Sequence, residues 1–241
     1  MSIDHPEAPS PSRPPRAVPA TQALAWFGEG MRLWKRGPAT FGAMAVIVLF
    51  ASIVLEPVPI AGFIAANVVA PLLACSLLYG CLGADRDGQP RFRHVAAVFA
   101  APLTAQWAVV AAGFVVLAAE AFAAWQIAGV NLLLPLSDAA SLPASGIMVI
   151  YAIGVLVSLP VTFVPMVALF DGENASRAFE LSLRAFSLNV PALLMLAAYS
   201  FVLLMLGLAT MGVGLVLALP WIAAASYAAW KDIFGLQNLG S

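Results

Sequence analysis

Two polar side chains inside long apolar segments are the best candidates for chemistry. Glu120 and Asn67 each lie within a run of apolar residues of the length that crosses a membrane. A charge buried in lipid is costly, so an ionisable residue in such a run is the default signal of a functional site. We predict that Glu120 and Asn67 contact a ligand or an ion. The alternatives are that Glu120 reaches water near the membrane surface and that Asn67 hydrogen-bonds between helices.

Two further carboxylates, Glu56 and Asp138, fall on the same predicted outer side as Glu120. Together the three carboxylates could line a cation-attracting mouth or bind a cationic ligand. The alternative is that Glu56 and Asp138 are solvated at the interface, because both lie in segments between apolar runs.

The residues that usually bind metals or act as nucleophiles are sparse. The histidines are His5 and His94, and neither lies in an apolar run. Cys75 and Cys81 share a run but lie six residues apart, which places them on different faces of a helix, and small packing residues explain them better than a redox pair. A metal site needs several such ligands at regular spacing. We therefore predict no catalytic residue, no cofactor and no metal.

The composition places these residues in a membrane protein. Hydrophobic residues make up 62% of the 241 residues, charged residues make up 10%, and the mean hydropathy is +0.95. Soluble chains carry about 25% charged residues because their surfaces face water. No dense basic surface is available to neutralise phosphates, so a nucleic-acid partner is not expected.

The positions of the positive charges predict how the chain crosses the bilayer. All Lys and Arg residues fall in alternate gaps between six apolar runs, which span about residues 38–55, 60–82, 102–125, 147–170, 191–211 and 213–230. The basic residues are Arg13, Arg16, Arg32, Lys35 and Arg36 before the first run, Arg86, Arg91 and Arg93 after the second, Arg177 and Arg184 after the fourth, and Lys231 after the sixth. Cytoplasmic segments retain Lys and Arg. The pattern predicts an all-α membrane protein with six transmembrane helices and both termini in the cytoplasm.

Two kinds of segment accompany the spans on the predicted inner side. Residues 1–20 are rich in proline and should form a disordered cytoplasmic tail, which leaves residues 21–241 as the six-helix transmembrane domain. Residues 21–36 should form an amphipathic helix on the membrane surface, with Trp26 at the headgroup level. Its apolar face is expected to hold Leu24, Phe27, Met31 and Trp34. A second amphipathic helix, near residues 175–188, should have an apolar face of Phe179, Leu183 and Phe186.

The chain also resembles three copies of one helical hairpin. In each unit a proline opens the first span, a proline breaks the second span, and an acidic residue follows about a dozen positions later. The opening prolines are Pro38, Pro102 and Pro191, the breaking prolines are Pro71, Pro160 and Pro220, and the acids are Asp85, Asp171 and Asp232. The alternative is that any six-helix protein with amphipathic connectors looks periodic.

The two ends of the chain carry recognisable motifs. The entry segment is Gly30-Met31-Arg32-Leu33-Trp34-Lys35-Arg36-Gly37-Pro38, and the final span ends Ser226-Tyr227-Ala228-Ala229-Trp230-Lys231-Asp232-Ile233-Phe234. With these motifs the chain resembles an uncharacterised family of bacterial multi-pass inner-membrane proteins, a domain of unknown function. The resemblance covers about a third of the chain. It implies membrane architecture and carries no assigned chemistry.

These observations favour a non-enzymatic structural or accessory membrane protein. Besides the lipid bilayer, its partner would be another membrane protein that contacts the cytoplasmic amphipathic helices. The alternative is a transporter or channel for a small or lipophilic solute, with Glu120 on its path.

Overall fold

The computed structural model describes residues 14–55, 61–130 and 143–236. Those residues form α-helices and short 3₁₀ turns, without a strand. The helices are α1 (Gln22–Trp34), α2 (Pro38–Leu55), α3 (Ala61–Arg86), α4 (His94–Ala97), α5 (Leu103–Ala128), α6 (Ala144–Ser158), α7 (Val164–Leu169), α8 (Ala175–Leu188), α9 (Val190–Ala209) and α10 (Leu215–Ile233). The helical class predicted from the sequence is therefore confirmed.

Three of these helices have segments that are long and apolar enough to cross a membrane. They are Asn67–Arg86, Leu103–Ile127 and Val190–Ala209, and two shorter apolar segments, Pro38–Ala51 and Ser145–Val161, accompany them. The predicted sixth span, α10, is not among them. The second half of α10 is buried by protein, because α1, α2, α3 and α9 pack around this helix.

Only one of the three expected proline breaks interrupts a helix. α3 continues through Pro71 and α10 continues through Pro220, so the expectation of a break at these positions is wrong. At Pro160, in contrast, α6 ends and a 3₁₀ turn over Leu159–Val161 leads into α7. Each proline removes one backbone donor, and here Pro165 removes a second one within five residues.

Hydroxyl groups hold the break at Pro160 together. The Ser158 hydroxyl donates to the Val155 carbonyl at 2.7 Å, and Thr162 donates to the Ser158 carbonyl at 2.8 Å. Ser182, which is buried on α8, donates to the Pro160 carbonyl at 2.7 Å and accepts from the Phe163 amide at 3.2 Å. α8 therefore supplies partners for backbone groups that a regular helix would have paired internally.

α1 packs against α10 with a face that differs from the predicted one. Its buried residues are Ala23, Trp26, Phe27, Gly30 and Leu33. Leu24, expected on the apolar face, is 56% exposed, whereas Trp26, expected at the headgroup level, is buried. At Gly30 a side chain would meet the backbone of Ala225, so glycine permits the close approach of the two helices.

Residues 14–20, which the sequence places in the tail, contact α10 and Asn189 without forming a helix or a strand; we call this segment the strap. The amide of Arg16 donates to the Ile233 carbonyl at 2.9 Å, and Pro15 is buried. The strap and the end of α10 therefore lie at the same end of the molecule. Residues 1–13 of the predicted tail lie outside the described residues.

We call this end of the molecule the charged end. It comprises the strap, α1 with the turn that follows it (residues 35–37), the C-terminal ends of α3 and α10, the segment from Arg86 to His94, and α8. Every Lys and Arg of the described residues belongs to one of these segments. Away from the charged end, large apolar side chains are exposed on several helices, among them Phe50, Phe114, Phe122, Leu156, Val202 and Leu206. An apolar outer surface of this extent is expected where lipid replaces water.

Candidate functional site

The last turns of α10 gather polar groups from other elements around them. Asp85, at the end of α3, accepts a hydrogen bond from the Tyr227 hydroxyl at 3.0 Å and one from the Lys231 ammonium group at 2.5 Å. Both donors reach the same carboxylate oxygen, and the Asp85 and Lys231 side chains are only 17% and 23% exposed. A charge-assisted pair with this little exposure is stronger than a surface salt bridge.

A second carboxylate, Asp232, connects α10 to the strap and to α1. The Trp26 indole donates to Asp232 Oδ2 at 3.0 Å, and the Arg16 guanidinium forms an ion pair with Oδ1. Arg16 Nε also donates to the backbone carbonyl of Asp232 at 2.8 Å. The Asp232 side chain is 4% exposed, so it is the most buried carboxylate of the ion pairs in the described residues.

The strap is attached a second time, at the beginning of α9. The fully buried side chain of Asn189 accepts from the Val18 amide at 2.7 Å. Its amide group donates to the Arg16 carbonyl at 3.0 Å and to the Ala185 carbonyl at 2.9 Å. Asn189 thus provides hydrogen-bond partners for backbone groups of the strap and of the end of α8, which the helices themselves do not pair.

α1 brings a further ion pair close to Asp85. Arg32 Nε donates to Glu29 Oε2 at 2.8 Å. This hydrogen bond is the main reason why the pKa of Glu29 is lowered, and the charge of Lys231 lowers it further. Asp85 in turn helps to raise the pKa of Arg32. The pair on α1 and the Asp85–Lys231 pair therefore belong to one electrostatic network.

The remaining acid of the predicted repeat, Asp171, lies beside Trp230 of α10. Burial raises its pKa to about 7, the Glu173 carboxylate adds to the effect, and the Trp230 indole opposes it. Phe170 packs edge-to-face against Tyr79 and Trp230, with ring centroids 5.1 and 5.6 Å away. Asp85, Asp171 and Asp232, selected from their spacing alone, thus converge on the end of α10.

The polar contacts around the end of α10 connect separate elements of the fold. The contacts of Asp85 and Asp232 join the strap, α1, α3 and α10, and their donors come from ammonium, guanidinium, phenol and indole groups. These hydrogen bonds hold both carboxylates in position. The arrangement fixes four elements at one end of the molecule relative to one another.

The two predicted ligand contacts lie elsewhere, in apolar parts of α3 and α5. Glu120 packs against α6, where a methyl group at Gly154 would overlap its carboxyl group. Pro71 of α3 contacts Gly113 of α5, and Asn67 lies one turn before Pro71. Both residues lie away from the charged end, and their role in ligand or ion contact stays a prediction.

The structure describes only some of the other candidates from the sequence. Glu56 and Asp138 lie outside the described residues. Cys75 and Cys81 are buried as free thiols on α3. Among the described residues, no three His, Cys, Asp or Glu side chains are grouped so that they could hold a metal ion.

No direct signal in the sequence identifies Arg16, Trp26 or Tyr227 as partners of the acids, or Asn189 as a partner of the strap. Arg16 lies in the sequence segment predicted to be a tail. Trp26 and Tyr227 resemble aromatic residues that commonly lie at a membrane–water interface. The available signal was the repeated position of the acids at the ends of apolar runs, since a buried carboxylate requires a donor. Comparison of the chain with family models, with curated proteins and with solved structures gave no match.

Proposed function

We propose that the chain is a multi-pass protein of the bacterial inner membrane that crosses the bilayer six times, with both termini in the cytoplasm. The hydrogen bond from Arg16 to Ile233 supports an even number of crossings, because it keeps the two ends of the described chain together. The placement of every described Lys and Arg at the charged end supports a cytoplasmic position for that end. The six crossings would be α2, α3, α5, α6 with α7, α9 and α10.

Its function, in our proposal, is non-enzymatic: a structural or accessory role exerted through α8 on another membrane protein. The observation that carries this proposal is an apolar stripe on α8 that the fold covers only in part, with Leu183 exposed at its centre. α8 faces the core with Ala178, Leu181, Ser182 and Ala185. Leu183 is 49% exposed, and Phe179 and Phe186 on either side of it are only partly buried.

A pull-down from mild detergent tests this role. Leu183→Gln removes the exposed centre of the stripe without touching the core face, and Ser187→Gln changes an exposed position on the same helix. Burial of a leucine contributes about 1.5 to 3 kcal/mol, so we expect Leu183→Gln to lower recovery of the partner by about tenfold or more. Equal recovery of all co-purifying proteins with the wild type and both variants would contradict the proposal.

A transporter or channel for a small or lipophilic solute is the second candidate. A cleft of about 180 Å³ lies between α2, α6, α9 and α10, lined by Leu49, Tyr151, Leu204, Leu208, Leu215 and Leu219. Its apolar lining would suit a lipophilic solute, and Glu120 packs at Gly154 of α6, the helix that contributes Tyr151 to the lining. Glu120→Gln should then alter solute flux at unchanged expression, and an unaltered flux would remove this candidate.

A further inference from the structure

Five basic residues meet at one corner of the charged end. Lys35 and Arg36 follow α1, Arg86 ends α3, and Arg91 and Arg93 lie in the segment before α4. The Arg36 guanidinium donates to the Ala84 carbonyl, and Gly37 contacts the ring of Pro90. These contacts bring the α1–α2 connection against the α3–α4 connection. We call this group of five residues the basic corner.

The two arginines nearest to α4 are held around His94. The imidazole packs on Gly83 of α3, and its Nδ1 accepts from the Arg91 amide at 3.2 Å. Burial lowers the pKa of His94, and the charges of Arg93 and Arg91 lower it further. His94 is therefore neutral at pH 7, and it fixes the backbone from which the Arg91 and Arg93 side chains project into solvent.

The basic corner has more positive charge than its neighbours can neutralise. Its nearest acids are Asp87, which lies 3.9 Å from Arg93, and Asp85, which is already paired with Lys231. Among the described residues, no carboxylate lies within 4.0 Å of Arg86 or Arg91. α8 differs, because its Arg177 pairs with Glu180 on the same helix. The excess of cations is thus larger at this corner than on α8, where among the described residues Arg184 alone has no carboxylate within 4.0 Å.

An apolar groove lies along one face of α5, the next long helix after the basic corner in the chain. It has a volume of about 460 Å³ and is lined by Trp107, Val110, Ala111, Phe114, Val115 and Ala118. α5 begins at Leu103, directly after the 3₁₀ turn that follows α4, and Leu103 and Trp107 are 70% and 60% exposed. From Trp107 to Ala118 the helix rises by about 16 Å at about 1.5 Å per residue. That length is close to one leaflet, which is half of a hydrocarbon core of about 30 Å.

We propose that the basic corner binds the headgroup of an anionic phospholipid of the inner leaflet, with one acyl chain in the groove on α5. Complementary charge selects the headgroup, and the groove accepts the chain that is covalently attached to it. Basic sites beside transmembrane helices on the cytoplasmic side recognise anionic headgroups in this way. The proposal rests on the membrane placement proposed above, but not on the accessory role or on transport.

The charge of the corner is the first variable in the test. The full-length protein, purified in mild detergent, is exposed to equal amounts of phosphatidylglycerol and phosphatidylcholine with the same acyl chains, and native mass spectrometry counts the lipids retained. We expect phosphatidylglycerol to be retained at least about fivefold more than phosphatidylcholine, the effect of one basic residue at a membrane surface. The double variant Arg91→Gln and Arg93→Gln should lose this preference. Arg184→Gln, which removes an exposed arginine of α8, should keep it.

The groove is the second variable. Ala111→Phe places a ring in the groove, whereas Val202→Phe places one on an exposed position of α9. Only Ala111→Phe should reduce the retention of phosphatidylglycerol. Soluble glycerol phosphate should not displace the lipid, because it lacks the chain, and displacement at an equal concentration would instead indicate a site for a free phosphate and overturn the proposal.

A final control separates the lipid site from the membrane placement. The protein is reconstituted into phosphatidylcholine vesicles, which are floated through a gradient at alkaline pH to remove peripheral proteins. Flotation together with equal retention of the two lipids would overturn the lipid site alone. Failure to float would overturn the lipid site and the membrane placement together.

Discussion

The buried carboxylate of Asp232 connects the strap, α1 and α10. Replacing it with alanine would leave the Trp26 indole without its acceptor in a buried position. An unpaired buried donor costs about 1 to 3 kcal/mol. We therefore expect Asp232→Ala to lower the free energy of unfolding in detergent by about that amount, as followed by circular dichroism on heating.

Asp232→Asn is the matched control for this change. It keeps the size of the side chain and an oxygen that can accept from Trp26, and it replaces the charged oxygen opposite Arg16, which is 55% exposed, with an amide NH2 group. An exposed partner contributes little to an ion pair, so this variant should retain most of the stability. Equal stability of the wild type and Asp232→Ala would show that the contact contributes nothing.

Asp171 predicts a dependence of stability on pH. Its pKa is about 7 in the folded protein, against an ordinary value of 3.8, because burial disfavours the carboxylate. Between these two values the folded state holds a proton that the unfolded state releases, so this group makes stability fall as pH rises from about 4 to about 7. Above pH 7 the loss of stability that this group causes is complete.

Asp171→Asn should remove that contribution. We expect its melting temperature in detergent to exceed that of the wild type at pH 8 by about 2 to 4 °C, the shift that 1 kcal/mol produces in a chain of this size. The difference should disappear near pH 4, where the aspartic acid is protonated in both states. A difference that stays constant between pH 4 and pH 8 would contradict the assignment.

The sequence was sufficient to select the acids of the charged end but not their partners. The spacing of Asp85, Asp171 and Asp232 after apolar runs places each one at the end of a segment, and this is a local property. Which donor each carboxylate meets depends on how segments far apart in sequence pack together. Arg16 and Asp232, for example, are 216 residues apart.

At the scale of elements, the break between α6 and α7 depends on a side chain of α8. Ser182→Ala would leave the Phe163 amide and the Pro160 carbonyl without their side-chain partner in a buried place. We expect the free energy of unfolding to fall by about 1 to 3 kcal/mol. Ser187→Ala is the control, since its hydroxyl is exposed and bonds only to the Arg184 carbonyl of the same helix. Equal losses in both variants would show that Ser182 does not support the break.

The existence of the helices was easier to predict than their faces. Long apolar runs predict helices by composition alone, and the described helices fall where the sequence places them. The face that α1 buries could not be read from its hydrophobic pattern, because Trp26 satisfies its indole by reaching Asp232, and Gly30 allows contact with Ala225. Both facts concern α10, which begins about 180 residues later in the chain.

The prolines illustrate the same limit. Pro71 and Pro220 each remove one backbone donor, and their helices continue, whereas Pro160 coincides with a break that hydroxyl groups from Ser158, Thr162 and Ser182 stabilise. A single proline in the sequence does not reveal whether partners are available for the freed carbonyl. The threefold hairpin repeat, which assumed a break in each unit, stays a prediction.

For the whole molecule, the distribution of charge is the property on which the proposed orientation rests. All described Lys and Arg side chains lie at the charged end, while apolar side chains are exposed on the helices beyond it. The described residues include ten Lys and Arg side chains, and translocating this end would require moving all ten through the bilayer. Since both ends of the described chain are held there, an orientation with the termini on opposite sides would break the contacts of Arg16 with α10.

Cysteine accessibility in intact cells tests this central claim most directly. Cys75 and Cys81 are buried, so a membrane-impermeant maleimide should report only introduced cysteines. Ala17→Cys in the strap and Ser187→Cys on α8 should be labelled only after the membrane is permeabilised, and Met211→Cys, at a position 95% exposed in the turn between α9 and α10, should be labelled in intact cells. Labelling of Ala17→Cys or Ser187→Cys in intact cells, or of Met211→Cys only after permeabilisation, would contradict the proposed six-crossing arrangement.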